Sequence, residues 1–186
     1  SLSMTDEPVR SATYAMVDYA KKKNKIISFD PNLRPPLWES EELAAKQIWY
    51  GIEQCDILKI ADNEIEWLTG TNDYDKGIEI IRERTHAKLI NVTLGPNGSI
   101  AYYGDHKVFM KPYLNKDTIE TTGAGDTFGA CALHAVLKHG LDNMTDENLK
   151  EMLQFANAAA SLITTKKGAL RVMPEEKEMK ELIKKY

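Results

Sequence analysis

Apolar positions along this chain recur at two different periods, and the switches between them mark out its elements. Val9, Ala12, Met16, Tyr19 and Ala20 follow helical spacing. Thr5 stands where it can cap that helix, and Pro8 is tolerable in a first turn. Lys21, Lys22, Lys23 and Lys25 crowd the helix C-terminus before a turn at Asn24, where the helix dipole favours positive charge. Ile26 to Phe29 reads as a short buried strand. A second helix, from Ser40 to Gln54, carries Leu43, Ala44, Ile48 and Ile52 on one side and leads to a strand from Ile57 to Ile60. Ala61 to Leu68 turns directly into another helix. One more, about Tyr74 to Arg84, precedes a strand from Lys88 to Thr93.

Beyond this point the pattern changes. Ser99 to Tyr103 and Lys107 to Met110 flank Gly104-Asp105, which predicts a hairpin. Phe128, Cys131, Ala132, Ala135 and Val136 form an apolar stripe at helical spacing, and Gly129 and Ala130 would let that helix sit close to its neighbours. The next helix, about Thr145 to Thr164, buries Leu149, Met152, Leu153, Ala156, Ala160 and Ile163, with Asn157 near the apolar face. Pro174 opens a final charged helix to Tyr186. Strands alternating with helices predict an α/β fold in three layers, with a mainly parallel sheet and an antiparallel hairpin at its edge.

Composition narrows the class of function. With 186 residues, 42% hydrophobic and 28% charged, the chain is ordinary for one globular domain. The formal net charge is −4 and the basic residues are dispersed, which gives no electrostatic case for nucleic acid or an anionic membrane. No apolar run reaches spanning length, and no signal peptide opens the chain. Cys55 and Cys131 have neither metal-ligand nor redox spacing, so a reducing cytoplasm is the expected location. His134 and His139 are spaced so that they do not face each other on a helix, and His86 and His106 have no evident ligand partners.

Candidate chemistry gathers where strands end, the edge at which open parallel sheets bind ligands. Asp30-Pro31-Asn32-Leu33-Arg34-Pro35-Pro36-Leu37-Trp38 is a loop of this kind. Asp30, Asn32 and Arg34 alternate along it, so an extended backbone would point all three the same way. Arg34 suits a phosphate or carboxylate, or else pairs with Asp30 to hold the loop, while Trp38 packs beneath it. Asn63 and Glu66 share a helical face and can hold the hydration shell of Mg²⁺, which needs few protein ligands. The alternative is that Asp62 and Glu66 cap the helix and Glu64 is solvated. Thr93-Leu94-Gly95-Pro96-Asn97-Gly98 can admit a nucleotide close to its backbone, or form a plain turn.

The densest cluster is Glu120-Thr121-Thr122-Gly123-Ala124-Gly125-Asp126-Thr127-Phe128. Its glycines allow a tight turn and close approach of a ligand, just as a helical pattern begins. First-turn N–H groups lack internal partners and, with the dipole, favour an anion. An Asp in that turn can accept a proton from an attacking hydroxyl. A strand-to-helix loop with an acidic first turn is the plainer reading. No Gly-x4-Gly-Lys-Ser/Thr element is present, which disfavours a Walker-type ATPase.

Taken in order, Asn63-x-x-Glu66, Thr93-x-Gly95-x-x-Gly98, Thr121 to Phe128, and Phe155-Ala156-Asn157 through Lys167-Gly168-Ala169 resemble the motifs of the ribokinase-like (PfkB) carbohydrate kinases. The stretch from Asp30 to Trp38 is similar to bacterial fructokinases and related sugar or sugar-acid kinases. The resemblance implies ATP-dependent phosphorylation of a sugar hydroxyl. Asp126 would be the base, and the amides of Gly123, Ala124 and Gly125 the anion hole. Asn63 and Glu66 would organise Mg²⁺ and phosphate, with Glu66 acting through water. Thr93, Gly95, Gly98, Asn157 and Gly168 would line the nucleotide site, and Asn32 and Arg34 would approach phosphate or substrate. Glu120 stands where the family usually has Asp; with Thr122 it marks a position associated with a monovalent cation such as K⁺. Fructose is the expected acceptor, ahead of 2-keto-3-deoxygluconate or 5-dehydro-2-deoxygluconate, and a homodimer is compatible with the full-length protein. The family's Gly-Gly sugar motif and β lid are not visible, so residues 1–186 are expected to be the C-terminal, nucleotide-side part of one kinase domain. A catalytically incomplete nucleotide-binding module is the alternative from another class.

Overall fold

Helices and strands follow the predicted order in the computed structural model, which describes residues 1–186. Contacts divide the chain into two compact units, Ser1–Val92 and Thr93–Tyr186. The first unit runs α1 (Val9–Lys22), β1 (Ser28–Phe29), α2 (Glu41–Gln54), β2 (Ile57–Ala61), α3 (Asp62–Thr69) and α4 (Tyr74–Arg82), and closes on β3 (Leu89–Thr93), all but the last residue of which belongs to it. Ser40 caps α2 by accepting the Leu43 N–H at 3.1 Å, and Asp73 caps α4 by accepting the N–H groups of Asp75 and Lys76. Gly70, at φ 71°, ends α3 in the left-handed region that favours glycine. β1 and β2 pair in parallel, with Ser28 opposite Ile57 and Phe29 opposite Leu58. The first four residues of both β2 and β3 are buried, as in strands covered on both faces, and each run is apolar except for one buried polar residue, Lys59 in β2 and Asn91 in β3.

Three expectations for this unit change. The cap of α1 is Pro8, not Thr5, and no residue of α1 is buried; Met16 and Tyr19 are both exposed. Helical spacing of apolar residues therefore set the helix but not its packing. β1 has two residues, and Ile26, expected inside the strand, is exposed. The proline-rich loop contains a short turn of helix at Pro35–Leu37. Below it Trp38 is buried with Met4 and Ala44, against the half-buried Tyr14, Phe29 and Leu33, as the loop reading required.

The second unit contains β4 (Ser99–Tyr103), β5 (His106–Met110), α5 (Ala124–His139), α6 (Asp146–Ile163) and α7 (Glu176–Lys185). β4 and β5 form the expected antiparallel hairpin, with Ser99 opposite Met110 and Tyr103 opposite His106. Thr145 caps α6 through the Asn148 N–H at 3.3 Å. Leu149, Met152, Leu153, Ala156 and Ile163 of α6 are buried as expected, and so are Phe128, Ala132, Ala135 and Val136 of α5. Ala160 is only half-buried, because it faces a cavity. Gly129 has nothing within 4 Å of where a Cβ would sit, so it provides no close helix approach. Gly98 does: at φ 103°, an added Cβ would lie 2.2 Å from the Met110 carbonyl oxygen. The α/β class is borne out, with parallel pairing in the first unit and an antiparallel hairpin in the second. No helix is long and apolar enough to cross a membrane.

Candidate functional site

In the second unit the site is built at the entrance to α5. Gly123 adopts φ 83°, and its carbonyl accepts the Thr127 N–H at 2.8 Å, which starts the helix. A Cβ on Gly123 would stand in ordinary van der Waals contact with Ile163 at 3.4 Å and Ala169 at 3.7 Å, so the turn lies against the segment that follows Gly168. Gly168 itself adopts φ 130°. The Ala124 N–H is already donated to the Thr121 carbonyl at 3.1 Å. Gly125 and Asp126 are then the first-turn positions whose N–H groups helix geometry leaves without an internal acceptor. Asp126 is exposed in that turn.

Beside this entrance lies a cavity of ≈ 390 Å³, within the size range of small-molecule sites. Gly95, Gly98, Ala124 and Asn157, expected from the sequence, come together in its wall. Thr93, Gly168 and Asp126 lie outside that wall. Tyr113, Leu114, Ser161 and Thr164 are also in the wall, and the sequence reading missed them as site residues. Tyr113 and Leu114 sit in a connecting segment with no periodic signal. Ser161 and Thr164 share the helical face of Asn157, at four and seven residues' distance, and that spacing could have revealed them.

Much of the polar capacity in this wall is already used. Asn157 is buried; its Oδ1 accepts from Ser99 Oγ at 2.9 Å, and its Nδ2 donates to the carbonyls of Lys111 at 3.0 Å and Met110 at 3.3 Å. It therefore ties α6 to both strands of the hairpin and shapes the wall. Thr164 Oγ1 donates to the Ser161 carbonyl at 2.7 Å and lies 3.1 Å from Thr118 Oγ1. The Thr164 carbonyl accepts from the N–H groups of Ile119 and Glu120 at 2.9 and 3.3 Å, which docks the segment ahead of the glycine turn onto α6. Ser161 Oγ is different: it is buried and has no protein partner.

In the first unit, two carboxylates organise the Asp30–Arg34 loop. Asp30 lies 3.1 Å from Lys59 Nζ and accepts the Asn32 N–H at 3.1 Å, so Lys59, not Arg34, is its partner. Asn32 adopts φ 43°, which breaks the extended alternation expected there. Arg34 is exposed, and its Nη1 donates to the Leu33 carbonyl at 2.9 Å. Glu64, solvated in the alternative capping reading, is instead buried at 4% exposure and accepts the N–H groups of Leu33 at 2.6 Å and Ala61 at 2.8 Å. Asn63 and Glu66 are exposed in the first turns of α3. A lone carboxylate with an amide suits Mg²⁺ held through its waters. No three His, Cys, Asp or Glu residues gather as a direct metal centre.

The remaining reactive groups are engaged elsewhere. His106 Nδ1 lies 2.7 Å from Asp146, His139 lies 3.5 Å from Glu151, His86 lies 3.8 Å from Asp56, and His134 stacks on Phe155. Burial pushes the Cys55 thiol up to about 12 and that of Cys131 up to about 11, so neither supplies a thiolate near neutrality.

The family model for pfkB family carbohydrate kinases matches residues 2–176. The chain belongs to this family. Probable fructokinase-2 of Arabidopsis thaliana is 38% identical over 184 residues, covering 99% of this chain and 56% of that protein. A crystal structure of fructokinase from Vibrio cholerae O395, bound to fructose, ADP and calcium ion, superposes with a TM-score of 0.89 at 27% identity, over 98% of this chain and 58% of the other. Fructokinase from Xylella fastidiosa with bound ATP gives 0.86 at 27% identity, over all of this chain and 60% of that one. The pfkB chain described here thus spans little more than half the length of these relatives.

Proposed function

We propose that the protein containing this chain phosphorylates a sugar hydroxyl at the expense of ATP, with fructose as the acceptor. The observation that supports this most directly is the ≈ 390 Å³ cavity beside the first turn of α5, the turn that carries Asp126. An apolar-walled cleft suits a nucleoside, and an adjoining helix N-terminus suits its phosphates. Relatives with bound ATP, and with ADP and fructose, support the same assignment.

Bound ATP supplies the phosphoryl group, and the chain's own groups do the rest. Gly95, exposed at φ 54° with nothing within 4 Å of its Cβ position, lets the nucleotide lie on bare backbone. Gly98, Thr93, Asn157 and Gly168 hold the surrounding turns in place. Amides of the Gly123–Asp126 turn stabilise charge on the phosphoryl oxygens, with Gly125 and Asp126 the freest donors. Asp126 takes the proton of the sugar hydroxyl as it attacks. In the first unit, Asn63 and Glu66 orient the hydration shell of Mg²⁺, and Asn32 and Arg34 meet phosphate or substrate. This fits phosphoryl transfer, in which positioning and electrostatics provide most of the acceleration. Glu120 and Thr122 are assigned to a monovalent cation, which makes turnover depend on KCl. Residues 1–186 are then the nucleotide-side part of one ribokinase-like domain.

Two other readings have a specific observation behind them. The exposed guanidinium of Arg34 suits the carboxylate of 2-keto-3-deoxygluconate, or the acceptor of a 5-dehydro-2-deoxygluconate kinase. A cavity formed entirely by residues 95–164 suits a nucleotide-binding module that is catalytically incomplete. Coupled measurement of ADP release by the intact protein across these sugars separates them, with fructose expected to give the highest kcat/KM. A melting shift with Mg-ATP but no ADP release with any sugar would leave only the module. Without either response, the nucleotide reading itself fails.

A further inference from the structure

Glu64 belongs to none of the groups assigned above, yet it is the most deeply buried carboxylate in the first unit, at 4% exposure. Burying a carboxylate is costly unless its oxygens are hydrogen-bonded. Both are. Oε2 accepts the Ala61 N–H at 2.8 Å, the backward reach of a third-position Glu that often closes a helix start. That capping role does not account for the second bond. Oε1 accepts the N–H of Leu33 at 2.6 Å, across 31 residues of sequence.

The two backbone partners have telling neighbours. Leu33 lies between Asn32 and Arg34, and Ala61 leads directly into the helix that carries Asn63 and Glu66. One carboxylate therefore joins both polar elements of this unit. At the other end of the loop, Asp30 is held by Lys59, itself 8% exposed, and accepts the Asn32 N–H. The turn at Asn32 is pinned on both sides, and the exposed Arg34 follows immediately after it.

We propose that Glu64 is a positioning residue: it locks the Asn32–Arg34 loop to the first turn of α3, so that Arg34, Asn63 and Glu66 meet the anionic ligand in one geometry. The nature of that ligand, Mg-bound triphosphate, rests on the kinase reading; the mechanical link does not. Both oxygens accept from N–H donors, so Glu64→Gln turns an NH₂ group towards one of them and breaks that bond at constant volume. Glu64→Asp keeps the charge but is one methylene shorter, and it reaches only one of the two.

Hydrogen exchange and steady-state kinetics of the intact protein test this. In both variants the amides of residues 32–34 and 61–66 should exchange faster together. The KM for Mg-ATP should rise by about tenfold or more, the usual cost of losing a group that orients a metal or phosphate ligand, with kcat less affected. Faster exchange confined to the start of α3 in both variants, with Leu33 protected as in the wild type, would reduce Glu64 to a helix cap and overturn the proposal. Faster exchange at both elements with an unchanged KM would overturn it equally. Should the wild type release no ADP with any sugar, the kinase reading fails, and joint or separate opening of the two elements still decides the link.

Discussion

The two units hold their candidate site residues by opposite means. In the first, charged side chains are spent on backbone: Asp30, Lys59 and Glu64 fix a loop and a helix start, leaving Arg34, Asn63 and Glu66 exposed. In the second, turns are made by glycines at 95, 98 and 123, all at positive φ, with Gly95 exposed and Gly98 buried, beside a cavity whose wall has much of its polar capacity already used. A site of the first kind selects by charge and is sensitive to geometry. One of the second kind selects by shape and is sensitive to added atoms.

Substitution in either region tests that contrast. The largest expected effect is on chemistry, at Asp126. As the proposed base, its change to Asn should lower kcat by about 100-fold or more, while the melting temperature stays close to that of the wild type because the side chain is exposed. Turnover undiminished in a folded Asp126→Asn protein would remove the base from this turn.

Next come two glycines that look alike in sequence. Gly98→Ala combines φ 103° with a Cβ 2.2 Å from the Met110 carbonyl oxygen. It should cost about 2–4 kcal/mol in urea unfolding, backbone strain plus displacement of the hairpin end. Gly95→Ala, at φ 54° with open space around it, should cost about 1 kcal/mol, the strain alone. Its clearer effect is on ATP affinity, since the new methyl occupies the face assigned to the nucleotide. Equal losses of stability at the two positions would refute the close approach at Gly98.

The smallest effect compares the cysteines. Burial raises Cys55, in the first unit, to about 12 and the half-buried Cys131, in the second, to about 11. A thiol raised in the folded state binds its proton where the unfolded chain has lost it. Stability is therefore lost as pH climbs above the ordinary value of 9.0, and the loss levels off only beyond the folded-state value. Each thiol should take away about 1 kcal/mol between pH 8 and pH 10. Comparing urea midpoints of wild type and Cys55→Ala at both pH values isolates the Cys55 share. In native protein at pH 8, a thiol reagent should reach Cys131 slowly and Cys55 only after unfolding.

Element order was legible because periodicity and capping are local. Ser40 and Thr145 cap the helices they were expected to start, and Gly104-Asp105 turns the hairpin. The glycine-rich entrance to α5 was likewise readable, since positive φ and free first-turn amides depend on a few consecutive residues. Packing was not legible to the same degree. The apolar stripe of α1 has helical spacing yet no buried residue, and Gly129 sits in open space. Periodicity says which residues share a face; it does not say what covers that face.

The side-chain partnerships show the same division more sharply. Sequence alone determined that this chain would set glycine turns, a first-turn aspartate and polar clusters after its strands, in the order of the pfkB kinases. Only the tertiary structure decided that Asp30 would take Lys59 as its partner, that Glu64 would be buried to join Leu33 with Ala61, and that Ser161 and Thr164 would share a cavity wall with Asn157. The physical reason is range. Turn chemistry and helix entry are settled within a few residues, whereas a buried charge or a cavity wall exists only once elements distant in sequence bring its partners within hydrogen-bonding distance.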